Sequence, residues 1–86
     1  MQEVQKYRLR QAGGVYWLLD ISQPGVPYKE PIVLNEVGAD IWKLLQEGYS
    51  EEKIIYQIST EYGVDGEIAA QDVRDFFEEL KKRKIL

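Results

Sequence analysis

The spacing of apolar residues changes at Leu34-Asn35, and this change constrains the fold more than any other feature of the chain. Before it, apolar and polar side chains alternate, as in Val4–Arg10, which is typical of a half-buried strand. After it, apolar residues recur every three or four positions, which is typical of amphipathic helices. The sequence therefore predicts strands in the first third of the chain and helices in the remainder.

Three strands are predicted in the first third. Val4–Arg10 and Val15–Ile21 flank Ala12-Gly13-Gly14, whose glycines favour a tight hairpin turn. All three prolines lie in the connection to a third, short strand at Ile32–Leu34. Because Pro31 has no backbone N–H to donate, we expect this third strand at an edge of the sheet.

Three helices are predicted in the remainder. Asn35 and Ser50 are preferred N-cap residues, and Gly48 and Gly63 are preferred residues at helix C-termini, so these four positions bound the first two helices. The third helix is predicted from about Glu67 to Lys82. The predicted apolar faces comprise Val37, Ile41, Leu44 and Leu45 (flanked by Ala39 and Trp42), then Ile54, Ile55, Ile58 and Tyr62, and then Ile68, Ala69, Val73, Phe76, Phe77 and Leu80.

The order β-β-β-α-α-α predicts a single α+β domain over residues 1–86. Three short helices with tight glycine turns, placed after three antiparallel strands, resemble a winged helix-turn-helix-like domain. Hydrophobic residues make up 44% and charged residues 30%, which is the composition of a globular protein. No apolar run is long enough to cross a membrane, and the N-terminus is unlike a signal peptide, so we expect a cytoplasmic protein without a membrane partner.

Composition excludes several kinds of active site. The chain has no histidine and no cysteine, which removes imidazole acid–base catalysis, thiolate nucleophiles and the usual zinc ligands. Asp65-Gly66-Glu67 lacks the spacing of a calcium-binding loop. We therefore predict no enzymatic activity, no catalytic residues, no metal site and no cofactor.

The distribution of charge argues against nucleic acid as a partner. The net charge is −4, but residues 1–34 carry +1, residues 35–80 carry −9 and residues 81–86 carry +4. A helix-turn-helix protein inserts the first part of its recognition helix into the major groove. Here that stretch has four acidic residues and Arg74 as its one basic residue, so phosphates would repel it. The basic C-terminus instead complements the negative end of the third helix.

A set of short motifs carries a resemblance to a known family. In this order and spacing, they resemble PqqD-type proteins, the RiPP recognition elements, over roughly residues 15–86. Phe77 stands where that family usually has leucine. The motifs are Leu34-Asn35, Gly38-Ala39, Ile41-Trp42, Gly48, Glu52 and Ile54 (with one extra residue between them), Tyr62–Asp65, Asp72-Val73, Phe76-Phe77 and Leu80.

The resemblance implies a winged-helix-like domain that binds the N-terminal leader of a ribosomally made precursor peptide. Such proteins present the leader to a modifying enzyme, such as a radical SAM protein or a lasso-type protease or cyclase. They hold the leader as an added strand, in a groove between the third strand and the third helix. Transferred to this chain, the peptide-binding residues are Pro31, Ile32, Val33, Leu34, Val73, Phe76, Phe77 and Leu80.

The residues themselves also favour such a site. An edge strand leaves backbone N–H and C=O groups free for an extended peptide, and apolar side chains of the third helix can form pockets beside it. Two alternatives to this site stay open. The side chains of the third helix can belong to the core, and a second copy of the chain can pair with the edge strand to form a homodimer. A winged-helix DNA-binding regulator and an interaction module of another kind are the competing functions.

Overall fold

The predicted α+β fold is confirmed: three antiparallel strands precede three helices. The structure is a computed structural model, and it describes residues 7–20, 31–83 and 85. The elements are β1 (Tyr7–Ala12), β2 (Val15–Asp20), β3 (Ile32–Leu34), α1 (Glu36–Gln46), α2 (Glu51–Tyr62) and α3 (Gly66–Lys82).

The strands form one sheet in the order β1-β2-β3, and both pairs are antiparallel. Ala12 pairs with Val15, so β1 continues two residues beyond its predicted end at Arg10. The hairpin turn is Gly13-Gly14, where φ is 56° and 84°, a backbone conformation that glycine adopts without steric cost. The predicted strand residues 4–6 and 21 lie outside the described residues.

The two faces of the sheet differ in burial, as the alternating sequence predicts. Leu18 is buried on the inner face and pairs with Leu9 on one side and Ile32 on the other. Trp17 pairs with Val33 on the opposite face, where Val33 is 64% exposed. The inner face therefore packs against the helices, and β3 places alternate side chains on opposite faces.

The predicted starts of the first two helices are confirmed. The Asn35 side chain accepts a hydrogen bond from the Gly38 backbone N–H at 2.7 Å, and Ser50 Oγ accepts one from the Lys53 N–H at 3.3 Å. Each bond satisfies an N–H that has no partner within its own helix. The third helix begins at Gly66, one residue before its predicted start.

The C-termini agree with the sequence in one helix and differ by one residue in the other. Gly63 ends α2 in the left-handed region, with φ of 63°. Glu47, however, is the C-cap of α1, and Gly48 is the residue after it, with φ of 90°. The predicted end of α1 at Gly48 is therefore one residue beyond the observed C-cap. Gly48 nevertheless adopts the positive φ that commonly follows the end of a helix.

The prediction that Ala39 and Trp42 only flank the buried face of α1 is wrong. Both are 0% exposed, whereas Val37 and Leu44 are half-buried. The Trp42 ring meets the ring of Tyr7 edge-on, with 6.2 Å between centroids. Because α1 lies between other elements, its most buried side is set by packing and not by hydrophobic spacing alone.

The core lies between the sheet and the helices. Ile85 is 0% exposed, and its N–H donates to the Leu80 carbonyl at 2.8 Å, so Ile85 packs into the core after the end of α3. Leu86 lies outside the described residues. The largest fully buried side chains are those of Leu18, Ile41, Trp42, Ile54, Ile58, Val73, Leu80 and Ile85.

Candidate functional site

Strand β3 is an edge strand within the part of the chain that the structure describes. It pairs with β2 alone, and it takes the last place in the sheet order. The backbone groups of an edge strand that point away from its neighbour form a row of donors and acceptors on which another strand can add. The predicted edge position of Ile32–Leu34 is therefore observed.

A groove runs beside this edge, between β3 and α3. Its volume is about 280 Å³. The α3 side is formed by positions spaced by three, four and seven residues from Phe76, which places them on one face of the helix. We call this groove the strand compartment, and its lining residues are Ile32, Val33, Leu34, Asn35, Gly38, Phe76, Glu79, Leu80 and Arg83.

A second cavity adjoins the first along α3 towards the start of that helix. Its volume is about 300 Å³, and it shares three lining residues with the strand compartment. Two aspartates distinguish it, so we call it the acidic compartment. Its lining residues are the shared Asn35, Gly38 and Phe76, together with Val37, Ile41, Asp72 and Asp75.

Gly38 allows α1 to approach α3 closely where the two compartments meet. A Cβ atom at Gly38 would lie 3.3 Å from Cε1 of the Phe76 ring and 3.1 Å from Oδ1 of Asn35. Both contacts are tighter than side chains usually make. Because Gly38 has no side chain, the Phe76 ring of α3 can lie against α1. The ring forms a wall that is common to both compartments.

The structure brings together five of the eight predicted peptide-binding residues. The strand compartment contains Ile32, Val33, Leu34, Phe76 and Leu80, of which Leu80 is 1% exposed and contributes only to the floor.

The other three predicted residues lie elsewhere. Val73 is 0% exposed, so its side chain belongs to the core and not to the surface of the groove. Phe77 is half-buried and packs against the core, outside the two compartments. Pro31 is half-buried directly before β3 and is not part of the lining.

Sequence reasoning did not place Glu79 and Arg83 in the groove. Arg83 Nε donates to Glu79 Oε2 at 2.9 Å, one helical turn apart on α3. Both side chains are about half exposed, at 50% and 49%, so the pair contributes little to stability. Their spacing from Phe76 could have indicated the shared face, because positions three and seven residues apart on a helix lie on one side.

A hydrogen bond joins α1 to the end of α2. Tyr62 O–H donates to the carboxylate of Asp40. Burial raises the pKa of Tyr62 far above its usual range, and the bond to Asp40 and the negative charges of Asp40, Glu36 and Glu61 raise it further. The phenol therefore stays protonated and continues to donate at ordinary pH, which holds α1 against the end of α2.

The described residues offer neither a metal site nor a membrane-spanning helix. They contain no group of three or more histidine, cysteine, aspartate or glutamate side chains arranged to hold a metal ion. In the same ranges, none of the helices has the length and apolar character needed to span a membrane.

Comparisons with known proteins place this chain in a family. Residues 9–86 match the family described as Coenzyme PQQ synthesis protein D (PqqD). Among solved structures, TbiB1 in complex with the TbiA(beta) leader peptide is similar, with 30% sequence identity and a TM-score of 0.74 over 94% of this chain and 88% of that one. No match is found among curated proteins. Since the family match covers most of the chain, and a solved relative shares its fold, the chain belongs to the PqqD family.

Proposed function

We propose that this protein binds the leader segment of a ribosomally synthesised precursor peptide as a strand added to β3. It then presents the bound peptide to a modifying enzyme and catalyses no reaction itself. The observation that carries the proposal is the free edge of β3 beside the groove that contains Phe76. Similarity to TbiB1, which was solved in complex with a leader peptide, supports it.

Backbone pairing and side-chain burial have different roles in this binding. Each added backbone hydrogen bond contributes about 0.5–1.5 kcal/mol net, and such bonds do not distinguish one sequence from another. The half-buried side chains of Ile32, Leu34 and Phe76 give the groove an apolar lining that side chains of the peptide can cover. Together, backbone pairing and side-chain burial can give a binding free energy of about −8 kcal/mol, which is micromolar affinity, after the cost of ordering the peptide is subtracted.

The openness of the site suits presentation. Since β3 is three residues long, it can pair with only a short part of a leader, so the remainder of the precursor stays available to an enzyme. A radical SAM protein or a lasso-type protease or cyclase is the partner that we propose. A chain without histidine or cysteine is poorly equipped for catalysis, which fits a binding role.

A role as a DNA-binding regulator has less support. The first half of α3 carries Glu67, Asp72 and Asp75 with exposed side chains, against Arg74 as its basic residue. Phosphates would repel this surface, which is the one that a helix-turn-helix protein inserts into the major groove.

A scan of backbone N-methylation tests strand addition directly. Each residue of a synthetic leader, taken from a short precursor encoded near this protein, is N-methylated in turn, and binding is measured by calorimetry. An added strand directs alternate N–H groups to β3, so we expect affinity losses of roughly tenfold at every second position of one segment. The unaffected positions between them are the internal control. Losses without this period of two would contradict the proposal.

A further inference from the structure

We infer that the groove recognises two side chains of the peptide, and that the acidic compartment takes the side chain of a lysine or arginine. This inference rests on the proposed function and names the chemistry of the peptide that it binds. An apolar peptide side chain lies in the strand compartment beside Phe76. A basic side chain lies across the Phe76 ring, between α1 and the carboxylates of Asp72 and Asp75.

The two compartments are close enough for one extended segment to occupy both. They share Asn35, Gly38 and Phe76 in their linings, so they lie side by side. The midpoint between Asp72 and Asp75 is about seven residues along the helix from the midpoint between Glu79 and Arg83. At 1.5 Å per residue, this separation is roughly 10 Å. An extended peptide rises about 3.3 Å per residue, and same-side residues are two apart. The basic residue is therefore two or four positions from the apolar one, since a separation of three would place the two side chains on opposite faces.

The lining of the acidic compartment fits a long cationic side chain. Val37, Ile41 and Phe76 give it apolar walls, and Asp72 and Asp75 are exposed at its rim. Lysine and arginine cover apolar surface with their aliphatic stems while the charged group stays near water. An arginine can also place its guanidinium over the Phe76 ring. A short acidic or polar side chain would match neither the walls nor the rim.

The electrostatic balance at this compartment favours a cation. The N-terminus of α1 contributes about half a positive charge, and Glu36 in its first turn opposes it with a full negative charge. Asp75 Oδ1 accepts a hydrogen bond from Gln71 Nε2 at 2.8 Å, and a carboxylate has acceptor sites for further bonds. The neighbouring Glu79–Arg83 pair has no net charge. The lining of the acidic compartment therefore contains two carboxylates and no basic side chain.

Selection from a random peptide library tests this assignment and does not require the sequence of the natural leader. A displayed library of linear 12-residue peptides is selected against the wild-type protein and against the double variant Asp72→Asn/Asp75→Asn. The variant Glu51→Gln/Glu52→Gln is the matched control, since it removes the same charge from exposed positions on α2, outside both compartments. Thermal melting confirms that each variant is folded.

We expect wild type and the α2 control to enrich peptides with a lysine or arginine at a fixed spacing of two or four residues from an apolar residue. The Asp72→Asn/Asp75→Asn protein should keep the apolar preference and lose the basic one. In a selected peptide, replacing arginine by neutral citrulline should weaken binding to wild type roughly two- to fivefold, as expected for exposed ion pairs, and leave binding to the double variant unchanged.

The outcomes separate this inference from the proposed function. Selected peptides can show the period-two N-methylation pattern without any preference for a basic residue, or with a preference that is retained in Asp72→Asn/Asp75→Asn. Either outcome would overturn the inference and leave the proposed function standing. Failure of the wild-type protein to select any peptide that pairs with β3 would overturn both.

Discussion

Phe76 is the side chain on which the groove most depends. Its half-buried ring is a wall of both compartments, and Gly38 leaves the space that it occupies. Both Phe76 and the next residue, Phe77, pack against the core, but Phe77 lies outside both compartments. Successive residues on a helix point about 100° apart, so two adjacent phenylalanines of α3 serve different parts of the molecule.

Exchanging each phenylalanine for alanine should separate these roles. We expect Phe76→Ala to weaken leader-peptide binding at least tenfold, because covering an aromatic side chain contributes about 1.5–3 kcal/mol. Phe77→Ala removes the same atoms from the same helix and should lower the free energy of unfolding while affinity stays within about threefold. Calorimetric titration and urea unfolding measure the two quantities. Equal losses of affinity would instead favour the sequence-based assignment of Phe77 to the site.

Gly38→Ala should impair binding more than folding. Alanine in place of glycine stabilises a helix interior by about 1 kcal/mol, whereas the new Cβ would crowd Asn35 and Phe76 at 3.1 and 3.3 Å. We expect these effects to offset one another within about 1 kcal/mol in unfolding, while the displaced ring weakens peptide binding several-fold. Gly66→Ala is the control, because no atom lies within 4 Å of its added Cβ. Wild-type affinity in Gly38→Ala would show that the ring's position is unimportant.

Among the elements, those bounded by a residue with one structural role could be predicted from the sequence. Asn35 and Ser50 cap helices because their side-chain oxygens reach free backbone N–H groups, and Gly63 ends α2 because it adopts positive φ. These are local effects, so local sequence is sufficient. The buried side of α1 could not be predicted in the same way, since Trp42 is covered by elements distant in sequence, including β1.

The groove could be predicted only in part for the same reason. The missing backbone N–H of Pro31 and the shortness of the strand indicated that β3 is an edge strand. Which residues of α3 reach that edge depends on the packing of α1 against α3. Gly38 and Phe76 meet in this packing. They are far apart in the sequence, so the spacing of apolar residues does not reveal that they meet.

The hydrogen bond between α1 and α2 gives a pH-dependent contribution to stability. Burial and the bond to Asp40 raise the pKa of Tyr62 in the folded state. Its contribution is therefore complete below the unfolded value of about 10 and is lost as pH rises towards the folded value. Tyr62→Phe should cost about 1 kcal/mol at pH 7, and the difference from wild type should shrink above pH 10.

Urea unfolding at pH 7, 9 and 11 measures this difference, with Tyr56→Phe as the control. Tyr56 lies on the same helix and is 69% exposed, so its substitution should leave stability unchanged at pH 7. A difference between wild type and Tyr62→Phe that stays constant through pH 11 would show that the phenol does not titrate differently in the folded and unfolded states.

Across the whole molecule, charge and topology favour the same type of partner. The helical residues 35–80 carry −9, so polyanions are disfavoured and a basic peptide segment is favoured. Among the described residues, β3 pairs only with β2, so its outer edge can accept either a peptide or a second copy of the chain. Because both would use the same backbone groups, peptide binding and any homodimer through β3 are mutually exclusive.

Addition of the leader peptide to β3 is tested most directly by measuring nuclear Overhauser contacts between the isotope-labelled protein and an unlabelled synthetic leader peptide. Our account predicts backbone contacts between the peptide and Ile32–Leu34, in the alternating pattern of paired strands, together with contacts from a peptide side chain to the Phe76 ring. Contacts confined to the surface of α2 around Tyr56, or a bound peptide that is helical, would contradict it.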